Sequence, residues 1–371
     1  MTHASLASLF TPFNGGGLSL KNRFAMAPMT RWKSPDQFPG PDVAAYYRRR
    51  AENDVALIIT EGTTIDHSVA SQSTRIPAFH GRALDGWRRV ADEVHAAGAK
   101  IAPQIWHVGA MRSPKDEYPN ADLPSATPSG YYKPGGKQIA PPIGKAEIQG
   151  IADSYARAAE TARTLGFDAV EVHGAHGYLI DQFLWEGLNQ RDDEYGGDDV
   201  ARTRFAVEVV KAIRAAIGPD FPLILRISQW KQQDYTAKLA ATPEAFAAIL
   251  KPIAEAGVDI FHCSQRRWWE PEFPGSDLNC AGWVKQLTGK PVITVGSVGL
   301  AGALALGAEL GAHAEASTDI APLAHGVEHG DFDIVAVGRA LISDPEWVRK
   351  VKQGRLDELR PYDKSKLETL Y

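Results

Sequence analysis

The sequence predicts a (β/α)8 TIM barrel, an α/β fold, and three observations predict it. Short apolar, β-branched runs alternate with longer amphipathic stretches along the whole chain. The runs are apolar throughout instead of alternating with polar residues, as strands covered on both faces read. Eight such units follow one another without a break, whereas a doubly wound sheet, the alternative, more often has about five to seven strands.

The units fall in order. Residues 24–29 give the first strand, with a helix over 43–51; the second unit pairs 56–60 with 84–97. A third strand at 100–104 reaches its helix, 147–165, only after a long excursion. The fourth unit joins 169–173 to 200–217, the fifth 223–228 to 243–256, and the sixth 260–264 to 281–288. The seventh strand is 292–295, with helical sequence inside 301–325, and the eighth is 334–337, closed by 345–352. The Gly15-Gly16-Gly17 run reads as an ordinary loop. One domain, 1–371, is expected.

Residues 105–148 break the rhythm. They are rich in Pro, Gly and Tyr and lack a helical period, so they cannot form a plain strand-to-helix turn. Loops this long in compact domains are usually functional, and this one leaves the barrel at the end where barrel active sites form, which makes it a lid or side wall; surface decoration is the alternative.

Composition excludes several classes. Lys and Arg number 40 against 45 Asp and Glu, a net charge of −5, without the basic excess or stripe of a nucleic-acid binder. Hydrophobic residues at 44% and charged ones at 23% are ordinary globular usage, not that of a disordered chain. Two cysteines, Cys263 and Cys280, cannot staple a chain of 371 residues or hold a four-thiolate cluster, and they suit a reducing, cytoplasmic setting. No apolar run approaches the roughly 18 residues of a membrane span, and residues 1–13 lack the basic start and apolar centre of a secretory signal. A soluble protein with no membrane or nucleic-acid partner is expected, as a monomer or homodimer.

In a barrel, polar residues collect where the strands end. Strand one ends in Ala27-Pro28-Met29-Thr30, strand two in Thr60-Glu61-Gly62-Thr63 and strand three in Gln104-Ile105-Trp106-His107; strand five carries Arg226. Thr30, Gln104 and Arg226 bring a hydroxyl, an amide and a fixed cation to one region, a set that suits a planar heterocycle with alternating donors and acceptors. Singly, each has a structural alternative: Thr30 bonding a neighbouring carbonyl, Gln104 satisfying a loop, Arg226 pairing with Glu171. Gly296-Ser297 and Gly338-Arg339 follow strands seven and eight, where barrels often bind phosphate; glycines admit the anion to the backbone N–H groups, and Arg339 adds a bidentate fork.

Strand four ends in His173-Gly174-Ala175-His176-Gly177-Tyr178. This run lacks the Glu and the helix register of a zinc-protease motif, and no third ligand is evident, so no metal is expected. Two imidazoles donating to one substrate oxygen stabilise charge developing there, each worth about 10²- to 10³-fold, and a nearby phenol can deliver a proton. A pair of satisfied histidines at a strand end is the alternative.

These residues resemble the Old Yellow Enzyme family of flavin-dependent ene-reductases. The matching segments are Leu20-Lys21-Asn22-Arg23, Ala27-Pro28-Met29-Thr30, Ile59-Thr60-Glu61-Gly62, the run from His173 to Tyr178 with Asp181-Gln182-Phe183-Leu184, then Asn189, Arg191, Tyr195-Gly196-Gly197 and Gly338-Arg339. The resemblance implies a barrel that binds FMN noncovalently and takes hydride from NADH or NADPH. By position it implies that Ala27, Pro28, Met29 and Thr30 line the flavin and that Gly62 allows close backbone approach. Gln104 then bonds the pyrimidine edge, Arg226 lies at N1 and the C2 oxygen, and Gly296, Ser297, Gly338 and Arg339 hold the phosphate. His173 and His176 bond the oxygen of an α,β-unsaturated carbonyl, Tyr178 protonates its α-carbon, and Trp106 shapes the pocket. The departures concern substrate: Trp185-Glu186 replaces the usual Ser-Pro, Asn53-Asp54-Val55-Ala56 replaces Gly-Gly-Val-Gly, strand five continues as Gln229-Trp230-Lys231, and strand six runs into Arg266-Arg267-Trp268-Trp269-Glu270. Trp268 and Trp269 are expected to pack, with walling the pocket as the alternative. Nitro compounds or nitrate esters are a second substrate class, an amine dehydrogenase or demethylase is an alternative on the same barrel, and a phosphosugar barrel enzyme or a flavin-binding module without turnover stands outside this chemistry.

Overall fold

Eight parallel strands close into a barrel in chain order, each hydrogen-bonded to its predecessor and the last to the first. The computed structural model describes residues 6–112, 117–301 and 313–371. The strands are β1 (Phe24–Met26), β2 (Leu57–Thr64), β3 (Lys100–Trp106), β4 (Val170–His173), β5 (Leu223–Ser228), β6 (Ile260–Ser264), β7 (Val292–Val295) and β8 (Ile334–Val337). Around them lie α1 (Pro41–Glu52), α2 (Ala83–Ala96), α3 (Lys145–Thr164), α4 (Arg204–Ile217), α5 (Pro243–Glu255), α6 (Cys280–Thr288), α7 (Ala321–His329) and α8 (Trp347–Lys352). Part of the helical sequence expected within 301–325 falls on 302–312, outside the described residues.

The side-chain period of two along each strand builds the interior in layers. Ala102, Ala169, Ile224 and Ile260 belong to a fully buried apolar floor. Two residues on, the same strands present Gln104, Glu171, Arg226 and His262, all buried; two further come Trp106, His173, Ser228 and Ser264, buried at the rim. Alternation alone therefore raises polar chemistry above a dry floor.

Three features lie outside the strand-helix period. The Gly15-Gly16-Gly17 loop is in fact the turn of a hairpin, Phe13–Gly15 paired with Leu18–Leu20. Gly16 and Gly17 sit at φ 55 and 76, where a side chain is strained, and a Cβ on Gly16 would stand 2.5 Å from Ile260. The hairpin's Phe13, Leu18 and Leu20 join the barrel-floor cluster and plug its amino end. A register shift between Ile59 and Gly62 on β2 is the second. There the β3 backbone bonds a side chain, Gln104 N–H donating to Thr60 Oγ at 3.1 Å. Third, the short helix Leu179–Leu184 follows β4 and is buried all round.

The excursion of 105–148 is tied down where described. Arg112 donates to the carbonyls of Pro119, Asn120 and Leu123, and Arg191 reaches those of Pro128 and Ile143.

Candidate active site

The turn after β4 gathers His173, His176 and Tyr178 by folding back on itself. His176 adopts φ 63 and Gly177 φ 80, and Gly177 N–H donates to the Asp181 carboxylate at 2.7 Å. Asp181 in turn takes Lys231 Nζ at 2.6 Å with both side chains fully buried, so the turn is bolted to the chain leaving β5.

The result is one aromatic cluster. His173 and His176 meet edge to face with ring centroids 5.0 Å apart, and Tyr178 lies 4.9 Å from His173. Trp106 packs on both Tyr178 and His173, at 4.7 and 5.7 Å. On the other side Trp230 stacks on His176 at 4.4 Å and Tyr235 stacks on Trp230.

Each imidazole has one nitrogen engaged. Ala175 N–H donates to His173 Nδ1 at 3.2 Å, which fixes the proton of the neutral ring on Nε2. His176 Nε2 lies 2.8 Å from Ser264 Oγ, and which of the two donates follows from the ring's tautomer. Burial first, and the Arg226 charge next, hold both rings well below the usual histidine range, so both donate as neutral imidazoles. Burial pushes the Tyr178 phenol up, while the Gln232 and Gln72 amides and Arg226 pull it back, so it holds its proton at neutral pH.

Beneath lies a buried polar tier. Gln104 donates to Glu171 at 2.7 Å, and His262 Nδ1 is 2.7 Å from the other Glu171 oxygen. Gln104 thus bonds a neighbouring strand and not a loop, while the alternative for Arg226 is partly realised, Glu171 offsetting its charge. Yet Arg226 Nε and His262 Nε2 are buried with no partner among the described residues.

The cavity over this tier is lined by Ala27, Pro28, Met29, Arg226, Trp230, Tyr235, Ser264, Arg266, Ser297, Gly338 and Arg339, among others, with no Asp or Glu among the described lining residues. Arg339 donates to Ser297 Oγ at 3.2 Å. Thr30 lies just past Met29, half-buried. Two expected glycines have other neighbours: a Cβ on Gly62 would strike the Trp106 indole at 2.7 Å, and one on Gly296, at φ 147, the Gln265 carbonyl at 2.5 Å. Gly338, by contrast, leaves a cradle over Ala27 and Met29 that a Cβ would enter at 3.6 Å. Orphaned guanidinium N–H, an acid-free lining and an open cradle at the strand-eight turn fit a flat, anionic group such as FMN.

Ser264, Tyr235 and the Asp181–Lys231 pair were not singled out by sequence. Ser264 stands two residues past inward-facing His262, so strand alternation assigns it to the rim; nothing in the sequence pairs residues 181 and 231. Trp268 packs on Phe332 and against the core, as expected, while Trp269 is exposed.

Among curated proteins, the chain is 32% identical over 371 residues to an NADH oxidase of Thermoanaerobacter brockii, matching 97% of this chain and 52% of that protein, so it spans about half that relative's length. It is 32% identical over 368 residues to a chanoclavine-I aldehyde reductase of Penicillium roqueforti, covering 98% and 92% of the two chains. Among solved structures, morphinone reductase in complex with tetrahydroNAD superposes with TM-score 0.78 at 28% identity, covering 97% and 94%. The old yellow enzyme homologue from Zymomonas mobilis gives 0.78 at 25%, covering 98% and 96%. With the NADH:flavin oxidoreductase / NADH oxidase family model matching residues 8–358, the chain belongs to that family, the family of Old Yellow Enzyme.

Proposed function

We propose that this chain is an NAD(P)H-dependent ene-reductase that holds FMN noncovalently at the barrel rim and reduces the C=C bond of α,β-unsaturated carbonyl compounds. Bound FMN would take hydride from NADH or NADPH and supply it to the alkene. The observation that carries this reading is the contact of two neutral imidazoles and a protonated phenol, His173, His176 and Tyr178, in one buried cluster beside Arg226. Two N–H donors stabilise an oxygen gaining charge, which polarises the conjugated alkene. Tyr178 then supplies the proton to the α-carbon. An amine substrate would favour carboxylates, and the cavity has none among its described lining residues. Nitro groups and nitrate esters present oxygens to the same donors and form a second substrate class.

The remaining residues suit cofactor binding. With its amide N–H on Glu171, Gln104 has its carbonyl oxygen for a ring N–H. Arg226 would oppose negative charge on the pyrimidine edge; Ala27, Pro28, Met29, Thr30 and Gly62 would flank the ring; and Gly296, Ser297, Gly338 and Arg339 would hold the phosphate. The described part of 105–148 serves as a side wall, and the two free thiols of Cys263 and Cys280 suit a cytoplasmic setting.

Purified protein is expected to be yellow, to bleach with NADPH or NADH, and to recover colour with 2-cyclohexenone. Tyr178→Phe is expected to slow recovery by enone about 10²-fold or more and to leave bleaching within about threefold. Equal slowing of both halves would remove the acid role, and colourless protein that takes up no FMN would defeat the whole assignment.

A further inference from the structure

The departure after β6 supplies a cation that the proposed function leaves unused. Arg266 lines the same cavity as Arg339 and Arg226. Its guanidinium carbon lies 4.4 Å from the Tyr235 ring centroid, as that of Arg339 lies 5.5 Å from Tyr362. Each cation is thus seated on a tyrosine face, which holds the planar group while leaving its N–H edge for an acceptor.

Ser297 joins the two. Its hydroxyl donates to the Arg266 carbonyl at 2.9 Å and accepts from Arg339 Nη2 at 3.2 Å, at a strained φ of 53. Arg267, next door, is ion-paired with Glu270 at 2.6 Å. Arg266 Nη1 is buried with no hydrogen-bond partner among the described residues, and the cavity it shares with Arg339 has no acid among its described lining residues; Glu270 and Glu272, which line an adjoining cavity with Arg266, are ion-paired with Arg267 and Lys238. Two guanidinium groups facing one acid-free cavity repel each other and leave donors unpaired, and one dianion removes both costs.

We propose that Arg266 is a second phosphate-binding cation, closing with Arg339 around the phosphate of the cofactor from the β6 side of the rim. This rests on FMN being that cofactor, and the two ideas fail differently. The test is titration of full-length apoprotein with FMN and with riboflavin, which lacks the phosphate, followed by quenching of flavin fluorescence. Arg266→Gln is expected to weaken FMN about 10- to 100-fold and riboflavin by less than about threefold, and to flatten the salt dependence of FMN binding. Arg266→Lys retains part of the preference for FMN, and Arg267→Gln changes neither ligand. Equal losses for FMN and riboflavin would make Arg266 a packing residue on Tyr235 and overturn the proposal. Unchanged FMN binding with lost discrimination between NADPH and NADH would give Arg266 to the nicotinamide's phosphate instead, again overturning it. Wild-type protein that binds neither flavin would remove the cofactor reading and this proposal together.

Discussion

His173 and His176 owe their protonation to neighbours that the sequence places far apart in role. A backbone N–H two residues on sets the first, while a serine 88 residues away faces the second. Neutral donors avoid burying a second charge beside Arg226. Another buried group has consequences for stability. Glu61, buried at the β2 register shift, accepts the Arg31 N–H at 2.9 Å; burial, only partly offset by Arg31, pushes its carboxyl up to about 7. The folded chain thus keeps this proton to higher pH than the unfolded one. Its contribution to stability is full below the ordinary glutamate range and is lost as pH rises toward 7. Glu61→Gln removes that dependence. Relative to wild type, the variant is expected to gain about 3 kcal/mol in unfolding free energy between pH 4.5 and pH 8, measured by urea titration; a constant difference across that range would refute the assignment.

At the scale of elements, the decisive piece is the β4 turn with the helix Leu179–Leu184. The turn is too irregular to hold itself, and the fully buried Asp181–Lys231 pair fixes it to the segment that also carries Trp230. Removing one partner leaves an uncompensated charge. Asp181→Leu is expected to cost about 3–5 kcal/mol, and Asp181→Leu with Lys231→Met to recover most of that, as read from denaturant midpoints. Additive losses would mean that the two charges are not coupled. Strand elements were legible for a related reason: β5 to β8 are apolar runs covered on both faces, and their bounds follow from sequence alone. The hairpin Phe13–Gly15 with Leu18–Leu20 was not, because three residues per strand are too few to show a period, and its glycines read equally as loop.

At the scale of the whole molecule, the hairpin closes one end of the barrel so that the polar tier opens only at the other. Leu20 is 4% exposed in the floor cluster. Leu20→Ala is expected to destabilise by about 2–5 kcal/mol with little change in flavin affinity, since it acts at the opposite end from Arg226 and Arg339. A loss of affinity at unchanged stability would show the plug to be coupled to the site. The excursion of 105–148 belongs to this scale too: Arg112 braces its described part from within, and Arg191 links it to the chain that follows β4.

The sequence by itself determined the barrel, because strands buried on both faces leave an unmistakable apolar rhythm. It also brought the candidate residues to one rim, because residues at strand ends converge in such a fold whatever lies between them. Tertiary structure alone decided how those residues are used. Gln104 turns its amide to Glu171, Ser264 faces His176, Gly62 and Gly296 yield to Trp106 and Gln265, and Arg266 joins an acid-free cavity. Each depends on which groups stand within about 3–4 Å across different strands. That distance is set by barrel closure and the resulting register, which no local pattern of residues encodes.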